Sequence, residues 1–191
     1  MPKVGMEPIR RDALVRATIA EIGRAGSLDV TVAQIARRAG MSAALAHHYF
    51  GGKEQIFLAA MRHILMIYGA EVRGALAAAD TPEGRVRAVI RASFSEGSFR
   101  REVVSAWLHF YVLAQTVPEA RRLLSVYQRR LVSNLVAPLR DLVGSRAGQV
   151  AARLGAMIDG VYLREALSGR APDRAAAVGL VEGLLSLEIA E

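Results

Sequence analysis

Residues 31–50, TVAQIARRAGMSAALAHHYF, constrain this chain more than any other stretch of comparable length. Thr31 and Gln34 stand three apart, the spacing at which a threonine hydroxyl and a glutamine side chain each satisfy a backbone N–H at a helix start. The helix they open is short and stops at Gly40, a residue suited to the left-handed position just past a helix end. Ser42 can cap a further short helix reaching about residue 48. Two short helices meeting at a glycine-containing turn, with Ala36 small enough to let them cross closely, follow the arithmetic of a helix-turn-helix. Ile35 and Met41 supply the apolar pins.

The same punctuation runs along the rest of the chain. Leu14, Thr18, Ile22 and Ala25 recur at helical spacing and predict a first helix over 8–25, ended by Gly26-Ser27. Gly51-Gly52 breaks the chain before a long helix from Lys53, with Ile56, Ala60, Ile64 and Ile67 on its inner face. Asp80-Thr81-Pro82-Glu83 is a linker and restart, placing proline at a first helical position that needs no N–H. Helices are predicted over 82–95 and 99–115, then over 118–143 with Leu124, Tyr127, Leu131, Leu135 and Leu142 inside. Pro138 is expected to kink or locally break that helix. Two final helices, over 146–168 and 173–189, are separated by Gly169 and Pro172. No alternating strand pattern, repeat or low-complexity tract is present. The predicted class is all-α, with a three-helix helix-turn-helix domain at 1–52 and a helical ligand-binding and dimerisation domain at 53–191.

Apolar residues make up 52% of the 191, ample for a core, yet no uninterrupted run nears the ~18–20 residues of a membrane span. The first residues hold no apolar segment of the signal-peptide kind. The absence of cysteine removes disulfides, thiolate metal sites and cysteine nucleophiles together. A soluble, cytoplasmic protein without a membrane partner is expected. Of the net charge of +7, residues 1–53 carry +4, from eight basic and four acidic side chains. Clustered positive charge is the footprint of a polyanion. A generally arginine-rich background is the other explanation of the charge.

In helix-turn-helix geometry the second short helix lies in the DNA major groove with its first residues near base edges. The residues expected to meet double-stranded DNA are Thr31, Arg38, Ser42, Ala43, Ala44, Leu45, His47, His48, Tyr49 and Lys53. Arg37, Arg38, Tyr49 and Lys53 suit phosphates, which position a protein without reading sequence. Ala43, Ala44 and Leu45 offer only apolar groups and favour thymine methyls. Specificity is then expected from His47, His48 and DNA shape. The adjacent histidines also read as ordinary surface side chains; they do not suit a metal, since helix neighbours point about 100° apart.

The segment 8–57, and His48-Tyr49-Phe50-Gly51-Gly52-Lys53 in particular, resembles the TetR-family DNA-binding domain. The resemblance implies that Phe50 packs beneath the recognition helix and that Lys53 meets phosphate. Ala46 stands where the family pattern has a larger apolar residue, and His47 where a tyrosine is common. A second resemblance covers nearly the whole chain. Met1-Pro2-Lys3-Val4-Gly5-Met6 with Ile9-Arg10-Arg11, the run Arg129 to Val136, and the run Ala156 to Gly169 are similar to BetI-type repressors, regulators of glycine betaine synthesis from choline. It implies choline as a small-molecule cationic effector, with no cofactor and no metal.

A quaternary ammonium has no N–H to donate, so aromatic faces and a carboxylate are its natural hosts. Trp107 and Tyr111 share a helical face, with Phe110 adjacent and Phe94 on the preceding helix. Asp159 and Tyr162 share a face of the penultimate helix. These six are the expected ligand-binding residues. An aromatic stripe at helical spacing also reads as plain core, and Asp159 as the partner of an arginine. Leu180, Leu184 and Leu187 beside Val181 and Leu185, with Val150, Leu154, Ile158 and Val161 on the helix before, are expected to form a homodimer through the last two helices. No G-x-S-x-G, H-E-x-x-H, Walker or dinucleotide pattern occurs, so an enzyme is not expected. The expected function is repression of choline and glycine betaine genes; the alternative is a repressor answering a lipophilic cation or efflux substrate.

Overall fold

The computed structural model of the chain describes residues 5–26 and 29–190. The opening residues 1–4 of the BetI-like motif, Lys3 included, and Ser27 of the first turn lie outside the described residues. Among the described residues the chain forms α1 (Met6–Ala25), α2 (Val32–Arg38), α3 (Ala43–Phe50), α4 (Lys53–Ala77), α5 (Pro82–Ser93), α6 (Arg101–Thr116), α7 (Pro118–Val143), α8 (Ala147–Leu167) and α9 (Arg174–Ala190). A single 3₁₀ turn, Gly144–Arg146, joins α7 to α8. The all-α class holds.

The starts are fixed by local chemistry. Thr31 Oγ1 accepts from Gln34 N at 3.1 Å while Gln34 Oε1 accepts from Thr31 N at 2.7 Å, closing the capping box. Ser42 and Thr81 cap α3 and α5 in the same manner, with Pro82 opening α5. α7 runs unbroken through Pro138, although the proline leaves the Asn134 carbonyl without its intrahelical donor; the fully buried Leu135 and Leu139 on either side hold the helix in register.

One hydrophobic core runs from Leu14 to Leu185 and joins the first three helices to the rest. α1 packs on α4 and α6 as well as α2. The approach of α1 to α6 is close because Gly23 lacks a side chain: a Cβ there would lie 2.6 Å from the Cα of Glu102. α8 packs on α7, where Gly155 admits Leu131 and Val132. α9 is pinned by buried Glu188, which accepts from Arg153 at 2.8 Å, and by Glu182, which accepts from Arg87 and Arg91 of α5, each at 2.8 Å.

The apolar faces expected at a dimer contact need correction. Val150, Leu154, Ile158 and Val161 of α8 and Val181 and Leu185 of α9 are buried within the chain itself. α6, α7 and α9 pack around α8 and cover its apolar stripe. What α8 and α9 do leave uncovered is Leu163, Leu167, Leu180 and Leu187, 44%, 68%, 56% and 69% exposed, with Leu184 half-buried. Ala25, read as part of the inner stripe of α1, is exposed because the helix ends there.

Candidate nucleic-acid interface and effector site

α2 and α3 cross over two alanines. Ala36 and Ala46 are both fully buried, and the turn between the helices folds back through Met41 N donating to Ala36 O at 2.9 Å. Gly40 makes that turn at φ 68°, a region that strains any residue with a Cβ. Ala46 is therefore small for a packing reason: it lies at the crossing point.

That crossing turns Ala44, His47 and His48 of α3 outward. Ala43 and Leu45 are half-buried, Leu45 giving its backbone N–H to the Ser42 cap. Thr31 and Ser42 are exposed; each hydroxyl accepts within its own helix and keeps its proton for an outside acceptor. His47 Nδ1 lies 3.3 Å from Gly51 O, which orients the ring. Tyr49 is half-buried, and its hydroxyl accepts from Arg10 at 3.5 Å. Phe50 packs against the core with the Arg11 guanidinium 5.0 Å from its ring centre. Lys53 stands exposed at the start of α4.

The positive charge of this half is less available than its sum suggests. Arg11 pairs with Glu7, Arg16 with Asp12, and both Arg24 and Arg38 with Glu21. Glu21 is buried, and hydrogen bonds first from Arg24 and then from Arg38 hold its carboxyl below its ordinary pKa. Arg38 is thus already engaged by a carboxylate. Arg37 is exposed on α2 and has no acidic partner among the described residues.

The second cluster lies where α4, α6, α7 and α8 meet. Trp107 has ring-centre distances of 4.6 Å to Tyr127, 5.7 Å to Tyr111 and 6.1 Å to Tyr162. Asp159 is half-buried beside them and accepts from the Tyr127 hydroxyl at 3.1 Å. Burial raises its pKa, an effect opposed by the side chains of Tyr111, Tyr127 and Gln128. No arginine, lysine or histidine among the described residues pairs with it, so the alternative of an internal ion pair does not hold. The same burial lifts Tyr111, Tyr127 and Tyr162, and carries Tyr68 to about 12, so all four hydroxyls stay protonated as donors.

Of the six residues expected to meet a ligand, Trp107, Tyr111, Asp159 and Tyr162 come together. Phe94 is stacked behind Tyr162 at 5.8 Å and fully buried, a wall rather than a face. Phe110 stands edge-on to Trp107 at 5.8 Å and also borders Ile22, Phe57 and Met61 where α1 and α4 pack. Sequence reasoning missed Tyr127 and Tyr68, whose rings lie 5.7 Å apart. Tyr127 was visible in the inner stripe of α7, but its role depends on which helix faces it. Tyr162 donates to Ser93 O at 2.5 Å and Ser98 O at 3.1 Å, fixing the α5–α6 connection. Glu71 of α4 accepts from Ser95 and Ser98 hydroxyls of the same connection at 2.6 and 2.7 Å.

A capped helix-turn-helix carried on an all-helical body defines a class: DNA-binding transcriptional regulators, which are not enzymes. Residues 14–60 match the bacterial regulatory proteins of the tetR family, and residues 82–190, over half of the chain, match the BetI-type transcriptional repressor, C-terminal. The chain belongs to the TetR family and, within it, to the BetI-type repressors. The HTH-type transcriptional regulator BetI of Brucella melitensis biotype 2 is 52% identical over 190 residues, covering 99% of this chain and 96% of that protein. That of Rhizobium meliloti is 48% identical, covering 99% and 94%. A transcriptional regulator from Saccharomonospora viridis, solved in complex with choline, has the same fold: TM-score 0.78 at 20% identity, over 92% of this chain and 95% of that one. No helix is long and apolar enough to cross a membrane among the described residues.

Proposed function

We propose that this repressor binds its operator as a homodimer and that choline, held among Trp107, Tyr111, Tyr127, Tyr162 and Asp159, resets its grip, so that genes for glycine betaine synthesis respond to their substrate. The observation that carries this reading is Asp159: a carboxylate half-buried among aromatic faces, satisfied by hydroxyls and paired with no cation. Such a group is costly to keep ionised without a counter-charge. A quaternary ammonium supplies the charge without needing a hydrogen-bond acceptor, and its methyl groups suit ring faces. Both the 52% identical BetI of Brucella and the choline-bound Saccharomonospora regulator favour this cation over others.

The rings touch one another. A cation sits within ~6 Å of each ring centre in such cages, so faces on opposite sides of it stand much further apart than the 4.6 Å between Trp107 and Tyr127. A cation that enters between Trp107 and Tyr127 therefore parts α6 from α7. α6 carries the close contact of Glu102 with Gly23 of α1, and α4 begins at Lys53 beside α3. A displaced α6 or α4 moves the reading helices, and choline acts by its different affinity for the two arrangements.

On the DNA side the division is residues 1–52 for reading and 53–191 for sensing and dimerisation. His47, His48 and Ala44 face bases, while Thr31, Ser42, Tyr49, Lys53 and the neighbouring Arg37 reach phosphates; Ala43 and Leu45 line the edge, and Arg38 braces α2 through Glu21. Two copies joined through the exposed leucines of α8 and α9 present paired reading helices about 34–36 Å apart. A DNA-shift titration on the chain's own promoter, with and without millimolar choline, tests the reading; an unchanged operator affinity removes choline as effector. The rival effector, a bulky lipophilic cation, is separated by emission of Trp107, the single tryptophan. Choline, and not the bulky cation, is expected to change it.

A further inference from the structure

α4 and α7 diverge beside the Tyr68–Tyr127 pair and leave a cleft of about 320 Å³. Val72 and Leu76 of α4 and Val126 of α7 line it with aliphatic surface. At its rim stand Arg73 from α4 and Arg130 and Asn134 from α7. Both arginines are exposed, and neither has a carboxylate partner in the described residues. No acidic side chain lines the cleft. The nearest candidates on the helices around it are spoken for: Glu71 is turned to Ser95 and Ser98, and Asp159 lies behind Tyr127.

Gly69 keeps the cleft open. A Cβ there would approach only the Arg73 Nη1, at 3.3 Å, so the guanidinium lies over this position and nothing else fills it. Two cations brought by different helices to the mouth of one apolar hollow favour an anion that can meet both at once. The planar forks of the guanidinium groups suit the two oxygens of a carboxylate, with the Asn134 amide as a further donor. The hollow has the volume of roughly ten water molecules at ~30 Å³ each, which is room for a short hydrocarbon body.

We propose that this cleft is a second ligand site, taking an organic monocarboxylate with a short apolar body: the carboxylate between Arg73 and Arg130, the body against Tyr68, Tyr127 and the aliphatic floor. The site stands apart from the effector reading above. A linkage between the two does rest on that reading. Tyr127 is the shared wall, with the cleft on one side and Trp107 and Asp159 on the other. An occupant behind Tyr127 holds its ring on Trp107 and opposes the separation that a cation needs, so the anion and the cation weaken each other's binding.

Calorimetric titration of the purified full chain with hexanoate, hexanamide and inorganic phosphate tests the site, on wild type, the Arg73→Ala/Arg130→Ala double variant and Gly69→Leu. Hexanoate is expected to bind one per chain, with hexanamide at least about tenfold weaker, the loss of a charge-assisted pair. Phosphate, lacking an apolar body, is expected to bind more weakly than hexanoate. The double variant is expected to lose about tenfold or more, and Gly69→Leu to abolish binding by filling the hollow and pushing aside the Arg73 guanidinium that lies over it, while keeping both arginines in the chain. Helical circular dichroism establishes that each variant folds; Gly69→Leu decides the matter if the double variant does not. No hexanoate binding, equal binding of the amide or of phosphate, or binding unchanged by Gly69→Leu overturns the proposal. Choline titrated with saturating hexanoate is expected to bind several-fold more weakly than without it. Equal choline affinity in both sets aside the linkage, and failure of choline to bind at all sets aside the effector reading while the hexanoate result still decides the cleft.

Discussion

At the scale of single residues, the proposed sensing site turns on Asp159 and Tyr127. Burial holds the Asp159 carboxyl above its ordinary pKa, so the ionised form is disfavoured in the empty protein. A cation beside it favours the ionised form and draws that pKa back down, which releases protons on binding at acid pH. Cation affinity is therefore expected to be flat well above the raised pKa and to fall towards tenfold per pH unit below it. Calorimetry with choline from pH 8 down to the ordinary carboxylate value of 3.8 checks this, and a flat profile over that whole range removes Asp159 from the site. For stability the sign is opposite: the cost of the buried charge is absent at low pH and appears as pH rises through the folded pKa. Glu21 runs the other way. Its lowered pKa means that its clamp on Arg24 and Arg38 is complete above the unfolded carboxylate's pKa of 4.5 and is lost as pH falls through the folded value. Asp159 was legible in the sequence because a lone carboxylate among apolar residues calls for a partner. Tyr127 was not, because an inner-face tyrosine at helical spacing looks the same whether its hydroxyl meets solvent, backbone or a carboxylate.

Among elements, α6 is the one with two tasks. One side carries Trp107 and Tyr111, and its start presses Glu102 on Gly23 of α1. Gly23→Ala puts a methyl 2.5 Å from Glu102 Cγ and 2.6 Å from its Cα. Backbone must give way there, at a cost of about 1–3 kcal/mol. A lowered urea midpoint with an unchanged slope is expected, and operator affinity is expected to shift with it, since α1 supports the reading pair; a variant as stable as wild type contradicts the tight packing. Most helix starts were legible, because Thr31-Gln34, Ser42 and Thr81-Pro82 act through neighbours in sequence. The outward faces of α8 and α9 were not. A helix surrounded on most sides buries Val150, Leu154, Ile158 and Val161 at home, and periodicity alone does not distinguish an inward stripe from a partner-facing one.

The whole molecule joins a reading pair, a sensing cluster and an uncovered leucine face through one continuous core. With Leu163 and Leu187 at 44% and 69% exposure, that face is what two copies would share. Leu163→Glu/Leu187→Glu is expected to give a folded monomer in sedimentation experiments, with operator affinity lowered by at least about a hundredfold because one half-site is lost; a dimeric variant contradicts this face. The central claim is that a cation held at Asp159 is sensed at the operator. The most direct test measures operator affinity with and without millimolar choline for wild type and Asp159→Asn side by side. Wild type is expected to change by about fivefold or more, while Asp159→Asn binds the same operator and ignores choline. A variant that responds to choline as wild type does, or a wild type that does not respond, contradicts the account.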